Sequence, residues 1–218
     1  MIQTFILQIL SSLFTFLPVQ NDRIWVDQFN EPLEESWKNR YEECNEIYRI
    51  EEQAENKYLS AFSTDSDCFI VKPIKVDITK YPYLNWKWKA KQLPVNGDES
   101  VKKYCDVAAS VTIVLNKSKF FPKSIKYTWS TTLEEDSFTK SPYAMWPAKC
   151  AIHVLRSGEQ KEEEWIHEKV NVLEDYKKLY KKKRVKSKNV YALVIMSDSD
   201  NTNTPAAADY DDLFFSSH

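Results

Sequence analysis

Eleven short segments, each apolar or alternating between apolar and polar residues, recur along almost the whole chain. They read RIWVDQFN, EIYRIEE, YLSAFST, CFIVKPIKVDI, LNWKWKA, DVAASVTIVL, IKYTWS, KCAIHVLRS, EEWIHEKV, VYALVIMSD and DLFFSS. A period of two residues, with turn-forming residues between the segments, is typical of β-strands. Because no regular helices alternate with these segments, the pattern predicts a mainly β fold, a single antiparallel β-sandwich, and not a parallel α/β sheet.

One helix is predicted over the segment NVLEDYKKLYKKK, residues 171–183. Apolar side chains recur in it at three- and four-residue spacing from Val172 to Tyr180. Asn171 can cap the start of the helix, and the lysines at its end suit the helix dipole. We expect this α-helix to cross the sandwich, within one domain that spans residues 21–218.

Residues 1–20 resemble an export leader, because they contain an apolar run from Phe5 to Leu17. The run is too short for a comfortable membrane span and has the length of a signal-peptide core. We therefore expect a periplasmic or extracellular protein that starts near Asn21 and has no stable membrane span after leader removal. No Lys or Arg precedes the run, and PVQ is a poor cleavage site, so a signal anchor or an ordered first strand stays open.

Glycine content, histidine spacing and net charge exclude several classes of function. Gly97 and Gly158 are the only glycines, so glycine-rich phosphate loops cannot be built. The three histidines are too widely spaced for a zinc-binding motif. The formal net charge of -2 predicts no general attraction to nucleic acid.

Basic residues are concentrated in the segment Lys177–Lys188, in which eight of the twelve residues are Lys or Arg. Such a run is typical of a solvated helix end and loop. It is also compatible with a surface patch that binds an anionic partner. The sequence leaves both interpretations open.

The chain contains four cysteines: Cys44, Cys68, Cys105 and Cys150. In an oxidising compartment they could form up to two disulfides, with three possible pairings. Free buried thiols are the alternative, because a domain of this size does not need disulfides in order to fold.

The tryptophans divide into core candidates and ligand-binding candidates. Trp86 and Trp88 are two residues apart on a strand, so they share a face, and we expect that face to be interior. Trp129 and Trp146 lie on either side of a polar segment, residues 131–141, and are the candidates for contact with a ligand. Trp146 has a loop-like context and is the first choice, although a loop aromatic can equally close the end of the sandwich.

Acidic residues stand at the ends of two predicted strands. Asp106 opens one apolar strand, whereas Asp198, Asp200 and Asn201 follow another, with Asp198 and Asp200 on the same side. Carboxylate and amide oxygens are suitable ligands for Ca²⁺, so Asp198 and Asp200 are candidate calcium ligands. The alternative is a tight turn in which these side chains bond to neighbouring backbone groups.

Several of these motifs occur in an order that resembles the bacterial exported family known as DUF3047. They are WKW followed by LPVNGDE, Asp106 before a long strand, YTWS, NVLEDY, VIMSDSDNT and the terminal ADYDDLFF. The resemblance runs from about Trp25 to Phe215. It implies a β-sandwich similar to jelly-roll or galactose-binding-like modules, with the early segment Asp27–Phe29 near the closing DDLFF strand, and it brings no established activity.

The leading hypothesis is a secreted, non-catalytic module that binds carbohydrate or envelope glycan, with calcium as the one candidate cofactor. Its candidate ligand-binding residues are Asp106, Trp129, Trp146, Asp198, Asp200 and Asn201. We expect a monomer. The alternatives are a polysaccharide-active enzyme with Asp106, Asp198 and Asp200 as candidate acid and base, and an envelope scaffold that binds another protein.

Overall fold

The computed structural model describes residues 22–118, 122–144, 147–160 and 164–218. The predicted leader, residues 1–20, and Trp146 lie outside the described residues. Within them, the strands are β1 (Arg23–Asp27), β2 (Lys38–Asn39), β3 (Tyr48–Gln53), β4 (Asn56–Ser63), β5 (Phe69–Asp77), β6 (Tyr83–Gln92), β7 (Val107–Val114), β8 (Lys123–Ser130), β9 (Phe138–Lys140), β10 (Lys149–Ser157), β11 (Ile166–Asn171), β12 (Asn189–Asp198) and β13 (Ala206–Ser216). The helices are α1 (Leu33–Ser36) and α2 (Val172–Leu179), with 3-10 turns at Glu42–Glu46 and Lys102–Tyr104.

The strands form two sheets, which confirms the predicted mainly β sandwich. The first sheet has the order β11-β6-β13-β4-β3, with β1 also paired to β13. The second sheet has the order β2-β5-β12-β7-β8-β10-β9. Neighbouring strands are antiparallel except for β8 and β10, which run parallel. The pairing of β1 with β13 places Asp27 opposite Leu213, as the family resemblance implies.

The core lies between the sheets and follows the alternation of the strands. Trp86 and Trp88 are buried with their rings edge to face at 5.2 Å. Inward side chains of the facing sheet are also fully buried, namely Val111, Ile113, Leu193 and Ile195. This confirms the predicted interior face, and edge-to-face packing of two indoles adds to the stabilisation from their burial.

Helix α2 begins where the sequence predicts it. The Asn171 side chain accepts a hydrogen bond from the backbone N–H of Glu174 at 3.0 Å, which caps the first turn. Val172 and Tyr176 are the buried positions of the helix, and the Tyr127 hydroxyl of β8 donates to Asp175 at 3.1 Å. The helix is therefore tied to the second sheet by this hydrogen bond, while its two buried side chains belong to the core.

One disulfide is present, between Cys44 and Cys68, whereas Cys105 and Cys150 are free. In the described parts of the chain, no helix combines the length and the hydropathy that crossing a membrane would require.

Candidate functional site

Antiparallel pairing of β7 and β12 brings the predicted acidic residues together. Asp198, the last residue of β12, pairs with Val107, the first residue of β7, so Asp106 lies beside it. Asp200 follows two residues later. One carboxylate oxygen from each of Asp106, Asp198 and Asp200 lies within 4.8 Å of the others. We call these three residues the acidic triad.

Asp106 is the member of the triad that the turn after β12 neutralises. Its Oδ1 accepts from the backbone N–H of Asn201 at 3.1 Å. Its Oδ2 accepts from both the backbone N–H and the hydroxyl of Thr202, each at 2.6 Å. The turn contains no glycine, and Asn203 supplies its left-handed residue with a φ of 52°, which Asn tolerates better than most residues. The predicted tight turn thus exists together with the cluster.

Asp198 is the member that the turn leaves unsatisfied. Only 6% of the residue is exposed, and its Oδ1 has no hydrogen-bond partner. Burial raises the pKa of Asp198 to about 8; the Lys126 ammonium opposes this rise, whereas the neighbouring Asp200 and Asp106 carboxylates add to it. A buried carboxyl oxygen without a donor is costly, so this position favours either a proton or a cation.

Lys126 and Glu99 belong to this end of the sandwich, and sequence reasoning missed both. Glu99 is fully buried, with Oε2 accepting from the Ser130 hydroxyl at 2.6 Å and Oε1 unpaired. Burial raises the pKa of Glu99, and Lys126 partly offsets the rise, as it does for Asp198. Strand parity places Lys126 on the face opposite Tyr127, but only the sheet order shows which carboxyls lie near it.

Asp200 and Asn201 form the exposed edge of the site, next to an aromatic ring. The Asn201 amide donates to the Asp200 carboxylate. The Tyr143 hydroxyl donates to the Asn201 carbonyl oxygen at 2.5 Å, and 49% of Tyr143 is exposed. Tyr104, two residues before Asp106, is 37% exposed. The site therefore has exposed aromatic side chains next to the acidic triad.

Trp129 does not join this site, which corrects its assignment as a ligand-facing residue. It is 4% exposed, packs against Trp88 with ring centroids 5.8 Å apart, and donates its indole N–H to the Gly158 carbonyl at 2.9 Å. The missed signal is parity, because Trp129 shares a strand face with Tyr127, which is also buried.

The sequence model of the DUF3047 family, described as a protein of unknown function, matches residues 35–214. No curated protein gives a significant sequence match.

Several solved structures are similar to this chain at low sequence identity. The xyloglucanase domain of NopAA, a type three effector from Sinorhizobium fredii solved with cellobiose, is 7% identical with a TM-score of 0.47, covering 84% of this chain and 95% of that one. The family 12 xyloglucanase from Bacillus licheniformis is 10% identical with a TM-score of 0.46, covering 90% and 97%. Endoglucanase 3 of Trichoderma harzianum is 9% identical with a TM-score of 0.41, covering 77% and 80%. At these scores the likeness carries no information about function.

Proposed function

Because the chain belongs to the DUF3047 family, whose description names no activity, we propose a function from its own site: a non-catalytic carbohydrate-binding module that holds a calcium ion at the acidic triad. Its β-sandwich fold provides the rigid strand ends on which such a site is built. Asp198 and Asp200 are the calcium ligands of this proposal, with Asp106 beside them.

The observation that carries the proposal is the unpaired Oδ1 of Asp198 inside the triad. Three carboxylates within 4.8 Å repel one another. The turn donates hydrogen bonds to Asp106 and, through the Asn201 amide, to Asp200, whereas Oδ1 of Asp198 has no donor. Calcium binds oxygen ligands at roughly 2.3–2.6 Å, so oxygens on different sides of one ion are separated by up to about 5 Å. An ion bound here would neutralise Asp198 and Asp200 and give the unpaired oxygen a partner.

The exposed edge of the site supplies groups that suit a sugar. A pyranose ring can lay its C–H face on the Tyr143 ring, while its hydroxyls bond to the Asp200 carboxylate and the Asn201 amide. Tyr143 and Asn201 are already joined by a hydrogen bond, so the ring is held next to these polar groups. Aromatic surface with a few fixed polar groups is the usual composition of small-ligand sites.

Accessibility favours binding over glycoside cleavage. Cleavage needs two carboxyl groups that both reach the scissile bond. Asp106 is fully buried and held by three donors, and Asp198 is buried, so Asp200 is the exposed member of the triad. A sugar at Tyr143 would therefore meet one free carboxylate.

We also propose that the protein is exported to the periplasm or the extracellular space. The Cys44–Cys68 disulfide supports this proposal, because disulfides persist in oxidising compartments. Mass spectrometry of the natural product is the test: a mature chain starting near Asn21 is expected, and an intact Met1 would contradict it.

Thermal melts with calcium and with chelator test the cation site. Calcium should raise the melting temperature of the wild type through preferential binding to the folded state, and it should have no effect on Asp200→Asn. Glu159→Gln is the matched control because Glu159 is exposed and is not a member of the triad, and it should respond like the wild type. Equal midpoints with and without calcium in the wild type would refute the site.

Binding to a glycan array tests the carbohydrate site. Tyr143→Ala should lose glycan binding, whereas Tyr41→Ala should retain it, since Tyr41 has a similar exposure of 47% but lies near Arg40. Unchanged binding by Tyr143→Ala would show that the sugar does not bind at this ring.

A further inference from the structure

A cavity of about 560 Å³ lies between the end of α2 and the start of β10. None of its lining residues is an aspartate or a glutamate. Five of them are lysines, from four parts of the chain: Lys123, Lys140, Lys149, Lys181 and Lys182. We call it the lysine cavity. A concave surface lined by charges of one sign concentrates counter-ions and charged ligands.

The charges of the lysine cavity are not neutralised by the described part of the protein. Among the residues that the structure describes, none of the five lysines takes part in a salt bridge. Their field reaches neighbouring groups, because burial and then the Lys123 and Lys182 ammonium groups lower the pKa of Lys188. The cavity is therefore a site of positive potential that an anion would stabilise.

Favourable interaction with the dipole of helix α2 explains the positions of only some of the five lysines. Cations near the last turn of a helix stabilise it, which accounts for Lys181 and Lys182. Lys123, Lys140 and Lys149, however, belong to β8, β9 and β10. Convergence of three lysines from separate strands on the same cavity points to a ligand.

Lys181 occupies a backbone position that usually belongs to glycine. The N–H of Lys182 bonds to the carbonyl of Lys177 at 2.9 Å, as in a Schellman turn, and Lys181 has a φ of 52°. A residue with a side chain is strained in this left-handed conformation. Glycine would suit this position of the turn better than lysine does.

The lysine cavity continues toward the proposed carbohydrate site. A smaller cavity of about 240 Å³ is also lined by Tyr143, and it shares four residues with the lysine cavity: Ala144, Ala148, Lys149 and Cys150. The Tyr143 hydroxyl in turn bonds to Asn201, beside the acidic triad. A chain-like ligand that packs on Tyr143 can therefore extend into the lysine cavity.

We propose that the lysine cavity binds carboxylate groups of an acidic polysaccharide, so that the ligand of the proposed carbohydrate site is a glycan containing uronic acids. This inference rests on the proposed function, because continuity with Tyr143 is what favours a glycan over other polyanions. The lysine ammonium groups would form charge-assisted hydrogen bonds with successive carboxylates.

Calorimetric titration with an oligogalacturonate in the presence of chelator tests the inference without competition from calcium. The double variant Lys149→Gln/Lys182→Gln should bind at least about 10-fold more weakly, since it removes two charge-assisted hydrogen bonds to the ligand. The matched control is Lys183→Gln/Lys186→Gln, which removes the same number of charges at two positions of the segment Lys177–Lys188 that do not line the cavity. It should change affinity by less than about 2-fold, as expected for exposed charges.

Lys181→Gly separates a binding role from a structural one. The substitution removes an ammonium group and also relieves the left-handed strain. Affinity for the oligogalacturonate should fall while the melting temperature stays equal or rises. An unchanged affinity would show that Lys181 does not bind the ligand.

Two further ligands decide the chemical class. The fully methyl-esterified oligogalacturonate has the same sugars without the charge and should bind at least about 10-fold more weakly, by the same charge-assisted contacts. Equal binding of acid and ester, or equal binding of the wild type and the double variant, would overturn the inference. Tighter binding of single-stranded DNA than of the oligogalacturonate would also overturn it, in favour of a nucleic-acid partner.

The same titrations distinguish failure of this inference from failure of the proposed function. A neutral glycan that binds through Tyr143, with no effect of the cavity lysines, would leave the proposed function intact and refute the lysine cavity. Lysine-dependent binding of the acid that is unchanged by Tyr143→Ala would refute the proposed carbohydrate site and leave the cavity as an independent anion site.

Discussion

Asp198 ends β12 with a buried carboxyl group, and its protonation couples the site to the stability of the fold. Burial raises its pKa from 3.8 to about 8, whereas the unfolded chain has the ordinary value. Between these values the folded state holds a proton that the unfolded state has released. The free energy of unfolding must therefore fall as the pH rises through this window.

We predict that, in calcium-free buffer, Asp198→Asn removes the part of this pH dependence that comes from the single proton on Asp198. The difference in unfolding free energy between variant and wild type should change by about 1.4 kcal/mol per pH unit between about pH 4 and pH 8. Glu99, Asp209 and Asp211 also have raised pKa values, but their contributions cancel in the comparison. Urea unfolding across the pH series provides the measurement, with Glu159→Gln as control; parallel curves for Asp198→Asn and wild type would contradict the prediction.

At the same scale, the sequence predicts the carboxylates of the site better than their surroundings. Asp106, Asp198 and Asp200 follow from strand ends, which are local features. Lys126 and Glu99 reach the site only through the pairing of β7 with β8 and β12, which local sequence does not encode. Which member of the triad the turn would neutralise was likewise not predictable, because it depends on a contact between Asp106 and residues nearly a hundred positions away.

Helix α2 is the element whose start the sequence predicts most directly. Asn171 caps it, and replacement by alanine should reduce the free energy of unfolding by about 1 kcal/mol. Asn171→Asp is the matched control, since an aspartate also accepts the hydrogen bond and should cost little. Chemical denaturation of the three proteins is the measurement, and equal stability of Asn171→Ala and wild type would show that the cap contributes nothing.

For these strands, the sequence predicts which face is buried much better than it predicts which strands pair with each other. Parity identifies the buried sides of β6, β7 and β12 because one side of each is in the core. The parallel pairing of β8 with β10 has no local signature, since both strands would look the same in an antiparallel sheet. Trp129 is a different case. Its strand parity with Tyr127 already indicates a buried position, but the neighbouring polar segment suggested a ligand-facing one.

For the whole molecule, the Cys44–Cys68 disulfide connects segments that lead into different sheets. Cys44 precedes β3 of the first sheet, and Cys68 precedes β5 of the second. The double variant Cys44→Ser/Cys68→Ser should lose about 2–4 kcal/mol of unfolding free energy, because the bridge restricts the unfolded chain. Reductant should lower the melting temperature of the wild type and leave the double variant unchanged; a wild type insensitive to reductant would contradict the prediction.

The position of β13 in the first sheet determines when this protein can fold. β13 is the last described strand, yet it lies between β6 and β4 and also pairs with β1, the first described strand. The first sheet therefore lacks its central strand until the ribosome has synthesised residues 206–216. Such long-range contacts slow folding to the range of milliseconds to seconds, and the nascent chain cannot complete this sheet while residues 206–216 are still missing.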